Sequence, residues 1–430
     1  MLIRGGRRLS GTVRLPAAKN SVLPLLAASL LCKGESTLAQ VPRLSDVEQS
    51  TAILTALGCR CQWRGRGLVV DAAGAGGGGE LPEGPVRAMR SSVFYLAPAL
   101  HRCGRVSMPM PGGCKLGPRP IDIHLDGLAA MGATVQTLPD RVVVQRRGAL
   151  HAVDYTLRLP SVGATLTLLM AAACARGFTT LRGAACEPEI ADVAAFLNAA
   201  GARIAGAGTP VLTIRGVGGL LPGGARHTPL PDRIAAATYA AAVAAAGGQV
   251  TVEGCRPAYL GAFLQFLRRA GCRVEAGPDG FTVARDPDRP LQGGVDLRTG
   301  AWPGFATDTA PLAAAVLLGA EGASRIHDAL FQNRFACAAG FAAMGARVRA
   351  RGRDLWLAGS DRLQGTLVTA PDLRGGAALV IAGLFAEGSS TVLDPGHIRR
   401  GYADLPGELR QLGAACRPAP ARAPQAVQYG

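Results

Sequence analysis

Lysine is almost absent from this chain. Of 46 basic residues among 430, only Lys19, Lys33 and Lys115 are lysines, and arginine supplies the rest. Aromatic residues make up only 5%, so the rings that stack on bases are scarce despite a formal net charge of +16, and the arginines are scattered rather than massed in a run. Nucleic acid is therefore not an expected partner, and the charge reads as compositional bias plus a site for small anions. No paired zinc spacing occurs among the eleven cysteines; Cys59-x-Cys61 falls along an expected strand, and no metal is expected. An odd count without a framework points to free thiols in a reducing compartment. Long apolar runs are lacking as well. Residues 21–31 are too few to span a bilayer, and Met1-Leu2-Ile3-Arg4 starts a strand-like pattern rather than a signal-peptide core, so a cytoplasmic chain without membrane contact is expected. The glycine-rich stretch 73–79 lacks the Gly-Lys-Ser/Thr ending of a phosphate-binding loop.

What is present is a repeat. A helix end, a glycine and a strand-like residue recur as Leu57-Gly58-Cys59, Met131-Gly132-Ala133, Ala200-Gly201-Ala202, Ala270-Gly271-Cys272, Met344-Gly345-Ala346 and Leu412-Gly413-Ala414. A second marker alternates with it, a helix ending in glycine before a β-branched stretch, at Gly34, Gly104, Gly177, Gly248, Gly322 and Gly388. Glycine suits a helix end because the closing residue takes a left-handed conformation. Six α/β units, three per half, suggest two similar domains, and a hydrophobic content of 48% suffices for two cores. The Pro/Ala-rich tail 417–430 is expected to fray.

Two places have kept lysine: Ala18-Lys19-Asn20 and the loop Pro111-Gly112-Gly113-Cys114-Lys115-Leu116-Gly117-Pro118-Arg119-Pro120-Ile121-Asp122. A cysteine beside two cations on a glycine-proline loop has its thiolate favoured and an anion held nearby, the layout of a working thiol. The alternative, a small buried hydrophobe, fits poorly with so many glycines and charges.

These segments, with Met89-Arg90-Ser91-Ser92, Ser161-Val162-Gly163-Ala164-Thr165, Glu187-Pro188-Glu189-Ile190, Pro231-Asp232-Arg233-Ile234, Pro303-Gly304-Phe305-Ala306-Thr307-Asp308, Asn333-Arg334-Phe335, Asp372-Leu373-Arg374 and Arg400-Gly401-Tyr402, form an ordered set that resembles the enolpyruvyl transferases, above all their cell-wall branch, which acts on UDP-N-acetylglucosamine. The resemblance covers nearly the whole chain. It implies two inside-out α/β domains, each of three pseudo-repeated units with buried helices and outward sheets, one from residues 1–19 plus 230–430 and one from 20–229 carrying the Cys114 loop. It also implies phosphoenolpyruvate as co-substrate, a uridine nucleotide as acceptor, no cofactor and a monomer. By the same likeness, Lys19, Arg119 and Arg400 would surround the phosphate and Arg334 and Arg374 the carboxylate. Cys114 would protonate the enolpyruvyl methylene and be the target of the epoxide phosphonate fosfomycin. Asp308 would be the base at the acceptor hydroxyl, although an aspartate after Thr307 also reads as a helix N-cap. Asn20, Arg90, Arg119, Pro120, Ile121, Asp122, Ser161, Val162 and Gly163 would bind the acceptor together with Asp308.

The chain departs from that branch where Pro16-Ala17 stands for Ser-Gly, and where Ala235, Gln332 and Arg399 replace acidic residues. The added positive character fits another anionic acceptor. A related branch serving nikkomycin- and polyoxin-type nucleoside antibiotics enolpyruvylates the 3′-hydroxyl of UMP, and that acceptor is the first expectation. The 3-hydroxyl of UDP-N-acetylglucosamine is the alternative, favoured by a retained uridine motif that would hold the ribose far from the chemistry. A silent nucleotide-binding paralogue is the remote reading.

Overall fold

The computed structural model describes residues 1–112, 116–117, 120–359 and 362–419. Five helices are buried almost all round: Lys19–Ser29, Val162–Cys174, Arg233–Ala246, Ala310–Leu317 and Leu373–Phe385. Their sequences explain it. Arg233–Ala246 is nearly all alanine and every residue is buried, because a helix with no polar face has no side to offer water and small side chains let neighbouring helices approach closely. Side chains at the helix starts satisfy otherwise orphaned N–H groups. Asp232 Oδ1 accepts from the backbone N–H of Ile234 (2.8 Å) and Ala235 (2.9 Å), Asp372 Oδ1 from Arg374 (2.9 Å) and Gly375 (3.0 Å), and Ser161 Oγ from Ala164 (3.3 Å).

Among the described residues, six sheets stand around these helices, five of four strands and one of three, plus a two-stranded ribbon. Buried apolar residues fall into two clusters, one within residues 17–225 and one combining 3–15 with 235–416. Each cluster carries three of the six sheets, and each is called a lobe below, central and terminal respectively. The terminal lobe is closed by the chain start. Leu2–Arg4 lies antiparallel between Ser389–Leu393 and Ala415–Arg417, and Leu9–Arg14 runs parallel to Gly248–Glu253. The two passages between lobes lie side by side. Ala17 and Pro231 form an antiparallel bridge, with Ala18 N donating to Leu230 O (2.7 Å) and Asp232 N to Pro16 O (2.9 Å).

All six glycines of the first marker are left-handed, φ running from 89° to 107°. At five of them the following N–H reaches back to the same carbonyl of the last helical turn, as in Cys59 N to Leu54 O and Ala346 N to Phe341 O, the Schellman closure. The second marker is less uniform. Gly104 caps its helix at φ 75°, but Gly34 lies outside the left-handed region, and Gly248 already belongs to a strand because Gly247 closes the preceding helix. Among the described residues, no helix is long and apolar enough to cross a membrane.

Candidate active site

Two aspartates, each holding two cations, mark the cleft between the lobes. Lys19 stands on the first turn of the helix that follows the passage between lobes, and its Nζ lies 2.7 Å from Asp46 Oδ2. The same carboxylate takes Arg400 from the terminal lobe, Nε to Oδ1 at 2.8 Å and Nη2 to Oδ2 at 3.1 Å. Asp46 is 3% exposed. Burial alone would raise its pKa, but Lys19 and then Arg400 outweigh burial and lower it. Lys19 is lowered from the usual lysine range, first by burial and then by Arg400 and Arg374, against the pull of Asp46.

The second group lies within the terminal lobe. Asp308, on the short turn Thr307–Thr309, accepts from Arg334 Nη2 (3.3 Å) and Arg374 Nη2 (3.1 Å). It caps no helix; its carboxylate faces the two guanidiniums, which removes the N-cap reading. Burial would raise its pKa, yet Arg374 and Arg334 together hold it well below the usual carboxylate range. Arg334 is 2% exposed, donates through Nε to Thr307 Oγ1 (2.9 Å), and lies with its guanidinium carbon 4.7 Å from the Phe331 ring centroid. Arg374 Nη1 reaches Tyr402 Oη at 3.5 Å, and that hydroxyl is 2.6 Å from Thr238 Oγ1. Tyr402 follows Arg400 by two residues, and Arg374 acts electrostatically on Lys19, so the two groups share one region of positive potential.

The residues assigned to the acceptor gather in the central lobe. Arg90 Nη2 donates to Pro120 O (3.1 Å). Ile121 is buried and immediately precedes the helix Asp122–Ala130, while Asp122 pairs with Arg158. Ser161 and Val162 start the helix that contains Gly163. A Cβ on Gly163 would stand 2.9 Å from the ring of His124, whose Nδ1 is 2.9 Å from Thr167 Oγ1; glycine lets this helix start come down on the histidine. Asn20 is exposed beside Lys19. Cys114, Lys115 and Arg119 lie outside the described residues, but Leu116 between them is buried and its carbonyl accepts from Asn333 N of the terminal lobe at 3.3 Å.

Sequence reasoning missed the residues that organise these groups. Asp46 reads as an acid in a first helical turn, a dipole partner and nothing more. Asp328, fully buried, accepts from Leu330 N (2.9 Å) and Phe331 N (2.7 Å) and from Thr307 Oγ1, shaping the approach to Arg334. Arg233 and Glu189, quoted only as motif members, form a buried two-point pair between lobes at 2.9 and 3.3 Å. Beside it Glu187 Oε1 accepts from Trp302 N at 3.5 Å, and burial raises the Glu187 pKa. Of the three positions lacking an expected acid, Gln332 and Arg399 are exposed, whereas Ala235 is buried and contributes nothing to the surface of the cleft.

Residues 3–409 match the family described as EPSP synthase (3-phosphoshikimate 1-carboxyvinyltransferase). The chain belongs to the enolpyruvyl, or 1-carboxyvinyl, transferase family and is an enzyme of that class. It is 43% identical over 418 residues to UDP-N-acetylglucosamine 1-carboxyvinyltransferase 1 of Symbiobacterium thermophilum, covering 96% of this chain and 93% of the relative. To the enzyme of the same description from Staphylococcus aureus it is 40% identical over 417 residues, with 96% and 98% covered. The crystal structure of the enolpyruvyl transferase NikO from Streptomyces tendae superposes with a TM-score of 0.85 at 27% identity, covering 96% of this chain and 97% of that one. EPSP synthase from Acinetobacter baumannii shares the fold at a TM-score of 0.68 and 18% identity, covering 96% and 97%.

Proposed function

We propose that this enzyme transfers the enolpyruvyl group of phosphoenolpyruvate to the 3-hydroxyl of UDP-N-acetylglucosamine and releases phosphate. The observation that carries the reading of the site is the pairing of four cations on two aspartates in one cleft, Asp46 buried and Asp308 part-exposed. Lys19 and Arg400 suit a phosphate, and Arg334 and Arg374 suit a carboxylate, the two ends of phosphoenolpyruvate. For the acceptor, identities of 40 to 43% to enzymes named for UDP-N-acetylglucosamine weigh against UMP, the first expectation from sequence. Exposed Gln332 and Arg399 are what favour UMP, and Ala235 drops out of that argument because it is buried.

In the reaction, a proton adds to the methylene carbon of phosphoenolpyruvate and the acceptor oxygen bonds to the adjacent carbon as its proton leaves. Loss of a proton from the methyl group so formed, together with loss of the phosphate, then restores the double bond. Asp308 takes the acceptor proton. Its basicity is suppressed by Arg374 and Arg334. When the substrate carboxylate takes a share of those guanidiniums, their hold on Asp308 weakens and its basicity rises where the hydroxyl arrives. Cys114 supplies the methylene proton, Arg119 joins Lys19 and Arg400 at the phosphate, and Asn20, Arg90, Pro120, Ile121, Asp122, Ser161, Val162 and Gly163 seat the nucleotide. The two lobes, joined where Ala17 bridges Pro231, close on both substrates. Arginines supply the charge neutralisation a metal would otherwise provide, and the enzyme works as a cytoplasmic monomer.

Phosphate release from phosphoenolpyruvate, measured with UDP-N-acetylglucosamine and with UMP, tests the acceptor. A kcat/KM higher by about a hundredfold for the sugar nucleotide is expected; preference for UMP reverses the assignment. Fosfomycin tests the thiol: a single adduct mapping to Cys114, with the other ten cysteines as internal controls, is expected. Adducts elsewhere, or none, remove Cys114 from the site.

A further inference from the structure

Asp46 has no place in the transfer chemistry, yet it is the most heavily engaged carboxylate at the phosphate end of the cleft. Its two oxygens take three charge-assisted hydrogen bonds from two cations on opposite lobes, and it is almost out of contact with solvent. Two cations brought this close repel each other, and a buried ammonium is the more easily discharged of the two because arginine stays protonated. Lysine that has lost its proton would bind no phosphate.

The geometry points to Asp46 as a positioning residue for phosphoenolpyruvate, holding Arg400 against Lys19 across the closed cleft and keeping the Lys19 ammonium charged for the substrate phosphate. The inference rests on the function proposed above for Lys19 and Arg400. The groups that face Lys19 among the described residues are Asp46 from the helix Ser45–Ala56, Arg400 from the turn Ile398–Arg400 and Arg374 from the helix Leu373–Phe385. Both arginines push the Lys19 pKa down, as burial does, and Asp46 pushes it up. The sign follows. Removing the Asp46 charge lowers the pH at which Lys19 discharges, and removing Arg400 raises it.

The scarcity of lysine makes this measurable, since only three lysines occur in the chain. With lysine labelled at Cε, the Lys19 resonance is identified by its loss in Lys19→Arg and followed over pH by NMR. Asp46→Asn, which keeps the shape, should lower the Lys19 midpoint by about one pH unit or more. It should also raise KM for phosphoenolpyruvate at least about tenfold while nucleotide affinity stays within about twofold of wild type. Asp46→Glu, which restores the charge, should bring the midpoint back toward wild type. If Asp46→Asn does not fold, Arg400→Gln carries the test, and there the midpoint should rise. An unmoved midpoint in Asp46→Asn, or a fall in Arg400→Gln, overturns the proposal and leaves Asp46 a structural tie. The titration needs no turnover. Absence of phosphate release by the wild-type enzyme with either nucleotide would sink the proposed function, while the NMR result would still decide what Asp46 does to Lys19.

Discussion

Asp308 and Asp46 each bind two cations, but they tie together different things. Asp308 gathers Arg334 and Arg374 from a single lobe, each guanidinium also held by a hydroxyl, Thr307 Oγ1 for Arg334 and Tyr402 Oη for Arg374. That group is built by the packing of the terminal lobe alone. Asp46 gathers Lys19 and Arg400 from opposite lobes, so its group is complete only when the lobes are together. The difference teaches how one cleft can separate two tasks. On the function proposed above, the carboxylate end of the substrate would meet a ready-made receptor, while the phosphate end would meet one whose assembly is coupled to closure.

Several experiments would break or sharpen that contrast. The largest effect is expected from Asp308→Asn. Turnover should fall by about 10²- to 10⁴-fold through loss of the base. Binding of phosphoenolpyruvate should hold or tighten in isothermal titration, because Arg334 and Arg374 lose their internal competitor. Weakened binding would instead make Asp308 a prop for the two arginines. Next in size is Glu189→Gln, which leaves the buried Arg233 between the lobes without its hydrogen-bonded carboxylate. A loss of about 3–5 kcal/mol in denaturant unfolding is expected. A negligible loss would mean that the lobes are held together elsewhere.

Acid separates the two lobes. His101 and His124 are buried in the central lobe, and burial lowers their pKa to about 4 and about 3. Both are neutral in the fold and protonate near the ordinary histidine pKa once unfolded. The unfolded state therefore binds more protons as pH falls from about 6.5 toward those values, and stability drops by about 1.4 kcal/mol per pH unit for each histidine. Unfolding followed across this range should show His101→Gln or His124→Gln flattening the slope; an unchanged slope would place the acid sensitivity in other groups. The smallest effects concern packing. Gly127 and Gly340 occupy the same position in their repeats, one residue before Leu128 and Phe341. A Cβ on either would stand 2.4 or 2.5 Å from a leucine of a central helix, Leu168 in one lobe and Leu379 in the other. Gly127→Ala and Gly340→Ala should each lower stability by about 1–3 kcal/mol. Unequal losses in thermal or denaturant melts would expose where the pseudo-symmetry of the cores fails.

Much of this was legible in the chain. Repeated glycines marked the helix ends because the left-handed residue is a local requirement, and the burial of the helices that the family resemblance implied is met by alanine-rich segments with no polar face. Motif context picked out Asp308, Arg334, Arg374 and Arg400 from a crowd of arginines. It could not tell whether Asp308 faced backbone or guanidinium, since both partners lie beyond the reach of local spacing.

Asp46 was invisible for a stronger reason. A sequence determines preferences that act within a turn or two: where helices start and stop, which faces are apolar, and which side chains carry charge. On those terms it determined the two sets of three α/β units, the capped helix starts at Ser161, Asp232 and Asp372, and the cations available for an anion. Which cation meets which carboxylate was decided only when the chain passed twice between lobes at Ala17 and Pro231. That geometry brought Arg400 to an aspartate 354 residues before it. Coulomb energy depends on distance and burial, not on sequence separation, and tertiary structure alone sets both.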